Sequence, residues 1–268
     1  MNIVYANANT SGDSYKRELI GDLLHEANAH SALNHRWLKN IATHGYTDQH
    51  YALKTFAYEY HTYAGAFPHY LRAVIDRLTL ATHKEPLLEN LAEEKGKLDA
   101  EEIAVLKAHG INTDAIKGIA HPVLYRRFCH AMGLSDLHLQ EPAHVAMQWR
   151  TNLLDYIKTA SPAAAVGAIG IGTEGIVKPI YEKVLSGIRA LGTLSRDEYA
   201  FFDLHCVVDD KHAEDLKNVA IALIDTKNGY EELRAGMLKA LELRALFWDH
   251  MDEKCSRAPN IQALENAV

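Results

Sequence analysis

Three side chains in the stretch Tyr199 to Leu216 have the types and spacing of metal ligands: His205, Asp209 and His212, at i, i+4 and i+7. At about 100° per residue in a helix of period 3.6, they fall within roughly 60° of one another. The same face carries Phe201, Phe202, Val208, Leu216, Val219 and Leu223. Two imidazoles and a carboxylate therefore sit where a core-facing helix normally puts aliphatic residues. Burying three ionisable groups costs several kcal/mol unless each is paired or bound to a cation. Two arrangements resolve that cost. One is a metal site, since imidazole and carboxylate are ligands and the ion supplies the missing charge. The other is a structural network in which a buried Asp209 is salt-linked to both histidines.

Other groups could complete such a site. Glu174 is the one acid in the small, apolar half of a helix expected over Ala163 to Ser186, on a face reading Gly167, Gly170, Ile171, Glu174, Val177, Lys178, Tyr181. Glycine in a helix interior costs roughly 1 kcal/mol relative to Ala, so these glycines predict close backbone approach. Pro179 predicts a kink just past Glu174. Lys178, at i+4, is an ordinary partner for Glu174 without any metal. It is also a candidate substrate residue, a handle for a carboxylate, as are Arg126 and Arg127. Glu94 continues the inner stripe of Leu87, Leu88 and Leu91, whereas Glu93, about 100° around the helix, is expected to face solvent or a surface partner. Taken alone, Glu94 reads first as a solvated helix-end acid. His121 precedes Pro122 and heads the stripe Leu124, Tyr125, Phe128, where a capping or core histidine is the alternative.

These residues need helices to position them, and the pattern supplies helices almost throughout. After a polar lead (residues 1–12), helical periodicity starts near Ser14 and runs through Ile41 as one long helix or a broken pair. Further helices are expected over Tyr51 to Tyr63, from Phe67-Pro68, and from Lys84-Glu85-Pro86 to a stop at Gly96. A charged insert, residues 97–120, holds a short helix from Asp99 to His109. Helices follow from His121-Pro122, after Glu141-Pro142, and from Ser161-Pro162. Ser195 and Glu198 form a capping-box pattern ahead of the His205 helix. A last helix spans about Tyr230 to Met251, before a polar tail (255–268). No sustained period-two run occurs, so the fold class is all-α, in one domain over residues 1–268.

Composition narrows the function. A net charge of -7 argues against nucleic acid or an anionic membrane as partner. Three cysteines, Cys129, Cys206 and Cys255, with no CxxC spacing, point to a reducing compartment. No secretory signal pattern opens the chain, and no apolar run is expected to reach the roughly 20 residues of a membrane span. A cytoplasmic location is the expectation. A ferritin-like carboxylate bundle would need two Glu-x-x-His pairs, and Glu141 to His144, interrupted by Pro142, is the one pair present.

The segment NLAEEKG, then HPVLYRRFCHAMGLS, then one Glu in a Gly/Ala helix, then HxxxDxxH about thirty residues on together resemble the haem-oxygenase-like di-iron oxidases and oxygenases. The resemblance runs from about Tyr58 to Leu223. It implies a haem-oxygenase-like (TenA/PqqC-like) bundle of about seven or more helices. It implies two irons per chain, with Glu94, His121, Glu174, His205, Asp209 and His212 as metal ligands, and Glu94, Glu174 and His212 as the catalytic set. The implied function is a non-haem, O2-activating oxidase or oxygenase on a small-molecule substrate, with an external reductant as a further partner. N-oxygenation, or oxidative C–C or C–N cleavage of an amino-acid-like or carboxylate compound in a biosynthetic pathway, is the implied chemistry. A homodimer is compatible with the pattern. A metal-independent enzyme of the same fold, or a non-catalytic interaction protein, is the alternative.

The chain departs from the family pattern in two places. One branch separates the first Glu and the following His by seven residues, whereas Glu94 and His121 stand 27 apart across the insert. Nitrogen-oxygenating members carry a comparable insert, some with an extra carboxylate ligand; Asp114, Glu101 and Glu102 are the candidates for that part. Leu38 stands where self-consuming members carry the Tyr they sacrifice, and Thr173 replaces their Tyr beside the central Glu. A self-consuming reaction is therefore not expected.

Overall fold

The computed structural model describes the backbone of residues 4–257; the side chains of 4–13 and 208–212 lie outside the described residues. Among the described residues every regular element is a helix. The chain opens with α1 (Val4–Ala29), α2 (Ser31–Asn34) and α3 (Arg36–Thr43). The expected broken pair is thus a triplet, and α1 begins ten residues before Ser14. The breaks have a local cause: the Nδ1 atoms of His30 and His35 accept hydrogen bonds from the backbone N–H groups of Ala32 and Trp37, capping α2 and α3.

Next come α4 (Gln49–Ala64), α5 (Phe67–Arg77), with Pro68 in its first turn, and α6 (Ala81–Glu93). Helix α6 opens a turn earlier than the sequence predicts and carries Pro86 inside it. The insert forms α7 (Ala100–Ala108), started by a reciprocal capping box between Asp99 and Glu102, and a 3₁₀ turn at Thr113–Ala115. Then follow α8 (His121–Ala131), α9 (Asp136–Gln140) and α10 (His144–Thr159).

The Gly/Ala stretch is the centre of the bundle. It runs as α11 (Pro162–Val166), a π-helical segment (Gly167–Glu174) and α12 (Gly175–Leu191). A departure from α geometry thus lies before Glu174, in the eight residues ending on it, and α12 carries Pro179 inside it. π-Helical turns inside α-helices recur at functional sites, because the extra residue per turn re-aims a side chain. The chain closes with α13 (Ala200–Leu223) and α14 (Gly229–Ser256).

The glycines are used as expected. A Cβ on Gly167 would lie 2.0 Å from the carbonyl oxygen of Leu233, and one on Gly236 would lie 1.9 Å from that of Ala164. Only hydrogen at both positions lets α14 lie backbone-to-backbone against α11 and the π segment. Helix α12 packs on α3 and α13, and α4 packs on α8 and α10. The stretch Pro162–Leu191 is, by length and composition, apolar enough to cross a membrane, contrary to the sequence expectation; 83% of its apolar window is buried inside the protein, as suits a core helix. One continuous apolar cluster surrounds it, with Trp37 and Trp248 stacked at 4.7 Å and Phe56, Tyr60 and Phe202 adjoining.

Candidate metal centre

The insert explains how Glu94 and His121 meet across 27 residues. Gly96 takes φ +92°, turning the chain out of α6, and the insert comes back onto the same place. The Gly118 N–H donates to the Gly96 carbonyl at 3.0 Å, and the His121 N–H donates to the Glu94 carbonyl at 3.0 Å. The excursion is therefore closed at its root, and its length has no bearing on the distance between the two side chains. Pro122 then starts α8 with its missing N–H where no helical bond is needed.

His205 arrives from the other side on α13. Asp203, buried two residues earlier, accepts from Arg189 Nη2 and Arg196 Nε, both at 2.6 Å. Those two charge-assisted bonds fix the start of α13 against the end of α12. The expected capping box at Ser195 forms in part, with Glu198 accepting from the Ser195 N–H and hydroxyl, and the helix begins at Ala200.

Glu94, His121 and His205 converge, at 4%, 3% and 8% exposure, with one potential ligand atom from each lying within 4.8 Å of the others. His121 Nδ1 donates to Glu94 Oε1 at 2.9 Å, and His205 Nε2 lies 3.8 Å from the same oxygen. His205 Nδ1 donates to the Phe201 carbonyl at 2.6 Å. That bond puts a proton on Nδ1 and turns Nε2 toward Glu94, the orientation in which a ligating histidine is held by its other ring nitrogen. Burial opposes ionisation of Glu94, but His121 and His205 hold its carboxyl well below the usual carboxylate range. The donor set has the chemistry of a cation site, two imidazoles and a carboxylate held together in a buried position.

Glu174 faces the same cavity, which Glu94 and His205 line with Tyr60, Tyr63, Phe67, Thr173, Val177, Tyr181, Phe201 and Arg244. Its Oε1 accepts from Asn90 Nδ2 at 2.9 Å. Asn90 holds a core position on the Leu87, Leu91, Glu94 face of α6, so the amide that orients one carboxylate comes from the helix that supplies the other. Asp209 and His212 belong to α13, and their side chains lie outside the described residues.

Other expectations change. Glu93 does not face solvent: it is 6% exposed and lies against Glu102 of α7. Burial first, and the charge of Glu93 second, raise the Glu102 carboxyl above its ordinary value. Of the two expectations, solvent or a partner, Glu93 takes the partner, because Glu102 from the insert lies against it. Glu101 and Asp114 are exposed, and neither they nor buried Glu102 joins the Glu94 cluster. Lys178 is half-buried and is not among the residues lining the cavity; Arg127 instead donates to the carbonyls of Ala115 and Asp197. Cys206 is likewise absent from the lining.

Sequence reasoning missed Arg244. It is 1% exposed, with its guanidinium 5.1 Å from the Trp149 ring centre and 5.4 Å from that of Tyr63. Nη1 donates to the Tyr60 hydroxyl at 3.4 Å and Nη2 to the Tyr63 hydroxyl at 3.2 Å, while buried Nε has no partner. Burial pushes the Tyr63 and Tyr181 phenols up, so both are neutral at pH 7 and give no counter-charge. Burying a guanidinium costs several kcal/mol. Two long hydrogen bonds at about 1 kcal/mol each and two cation–π contacts at about 0.5–2 kcal/mol each offset part of that cost. The signal was available in the stripe Leu233, Met237, Ala240, Arg244, Phe247, Met251, where a cation interrupts a core face just as His205 does.

Known proteins share this architecture. The model of a family described as iron-containing redox enzymes matches residues 54–245. A 4-aminobenzoate synthase of Chlamydia muridarum is 26% identical over 167 residues, 62% of this chain and 62% of that protein. Its counterpart from Chlamydia trachomatis is 25% identical over 62% of this chain and 64% of its own length. The chain thus matches under two thirds of the length of these curated relatives. Among solved structures, a CADD-like protein of unknown function from Nostoc punctiforme superposes with a TM-score of 0.70 at 14% identity, over 92% of this chain and 98% of that one. A TenA homologue from Pseudomonas syringae pv. tomato gives 0.67 at 15% identity over 88% and 92%. A haem-oxygenase-like domain from Shewanella denitrificans gives 0.59 at 14% over 95% and 94%. The fold is therefore haem-oxygenase-like, and with most of its length matched by the family model, this chain belongs to the iron-containing redox enzymes and is an oxidoreductase.

Proposed function

We propose that the chain is a non-haem di-iron oxidase or oxygenase that uses O2 to oxidise a small organic substrate, by N-oxygenation or by oxidative C–C or C–N cleavage. The observation that carries this reading is the buried Glu94–His121–His205 cluster opening on an enclosed cavity that also receives Glu174. Glu94, His121 and His205 would hold one iron, with Glu174, Asp209 and His212 completing the shell of a second. Three imidazoles with three carboxylates suit iron better than Mg or Mn, which take oxygen-only shells, or a Cys-rich zinc site. Bound iron would supply the electrons that activate O2.

The remaining work belongs to the protein. Phe201, Tyr181, Val177 and Phe67 exclude water from the cavity. The Phe201 carbonyl fixes the His205 tautomer, and Asn90 orients Glu174. A metal-independent, cysteine-based reaction finds no support in the cavity, whose lining includes no cysteine. The test is O2 uptake by ferrous-loaded protein in the presence of candidate substrates, with His212→Ala beside the wild type. Iron retention and O2-dependent turnover should fall together in the variant; wild-type turnover in His212→Ala would contradict the assignment.

A further inference from the structure

We infer that Arg244 is the substrate-binding residue of this cavity, and that the substrate is a compact, largely apolar or aromatic carboxylic acid. The inference rests on the redox reading above for the word substrate; the anion site itself stands on Arg244 alone. Arg244 is a fixed cation in the core, and its hydrogen-bond acceptors are two phenol hydroxyls at 3.2 and 3.4 Å. One of its donors, Nε, has no acceptor although its residue is 1% exposed. No carboxylate among the described residues pairs with it, whereas buried Asp203 is met by both Arg189 and Arg196.

A guanidinium has five N–H donors in a rigid fork that matches a carboxylate. Arg244 lines the same cavity as Glu94, Glu174 and His205. An acid seated on Arg244 therefore presents the rest of its skeleton toward those residues. The walls between are aromatic and aliphatic, Tyr60, Tyr63, Phe67, Val177, Tyr181 and Phe201, and bring no second cation. They suit a ring or a short chain, not a second charged group at mid-length. Lys178, the handle expected from sequence, is not in this lining.

The test is calorimetric binding of two acids and their neutral amides, benzoate with benzamide and hexanoate with hexanamide. It uses the full chain, metal-free and ferrous-loaded under anaerobic conditions. At least one acid should bind about 10-fold or more tightly than its amide in both metal states. Arg244→Gln should remove that preference while its circular dichroism and ferrous uptake match the wild type. If the Gln variant does not fold, Arg244→Lys decides: it should weaken the acid by about 10-fold and leave the amide unchanged, because a point charge replaces the fork. Equal binding of both acids and their amides, a preference that survives Arg244→Gln, or equal weakening of acid and amide by Arg244→Lys would overturn the inference. A preference seen only with iron loaded would place the carboxylate on the metal and overturn it as well. An intact preference in a chain that takes up no iron would instead sink the di-iron reading and leave the anion site standing.

Discussion

Gly96→Ala should disable the metal centre without touching a ligand. The residue sits at φ +92°, which costs an L-amino acid about 1–2 kcal/mol. Its new Cβ would lie 2.6 Å from the Ile119 nitrogen and 2.7 Å from the Gly118 carbonyl carbon, backbone atoms that cannot rotate aside. If the backbone holds, overpacking adds about 1–3 kcal/mol, a total on the order of 2–5 kcal/mol. At this chain length that lowers Tm by roughly 5–15 °C. If the backbone yields, retreat from 2.6 Å to ordinary contact near 3.4 Å moves Ile119 by roughly 0.8 Å. His121 is two residues on, and its 2.9 Å bond to Glu94 would stretch to about 3.7 Å, beyond hydrogen-bond range. Either way, anaerobic ferrous titration should show affinity lowered by about 10-fold or more. Gly118→Ala is the control: at φ +76° it carries the conformational strain, but its Cβ meets nothing within 4 Å. It should lose some Tm and keep its iron. A Gly96→Ala protein with wild-type iron affinity and the Tm of Gly118→Ala would refute the account of how the insert closes.

Three further outcomes are expected. Glu94→Gln should cut ferrous affinity by about 10-fold or more, while Glu93→Gln keeps it within about 2-fold; the reverse pattern in the titration would put the register wrong by one. Glu102→Gln keeps the capping box and removes a carboxylate whose pKa is raised in the folded state. Ionising such a group costs stability as pH rises through its unfolded value near 4.3, so the variant's urea midpoint should exceed the wild type's at pH 7 and approach it near pH 4. An equal or lower midpoint at pH 7 would refute the pairing with Glu93. Burial raises the Cys129 thiol and pushes Cys255 up to about 11, so a disulfide reagent at pH 8 should modify half-buried Cys206 first; rapid modification of Cys129 would contradict its burial.

The parts of this site that were legible in sequence were those written in helical periodicity. His205 interrupts an apolar stripe, Glu94 continues one, and the glycines of the α11–α12 stretch announced the contact that Gly167 and Gly236 make with α14. Family resemblance, not periodicity, linked Glu94 to His121 across the insert. What escaped was tertiary. Glu93 is buried with Glu102 of α7 against it, and no pattern within α6 records that. The π segment before Glu174 was not foreseen, since a π turn depends on what packs against it. Arg244 was legible by the rule that found His205, but a long helix with many charges hid one that points inward.

The most direct test of the central claim is anaerobic ferrous titration of the metal-stripped chain, read by Mössbauer spectroscopy before and after admission of O2. The account predicts close to two irons per chain, lost together in His212→Ala, with both sites oxidised on exposure to O2. Saturation at a single iron that O2 leaves ferrous, or binding of zinc alone, would contradict it.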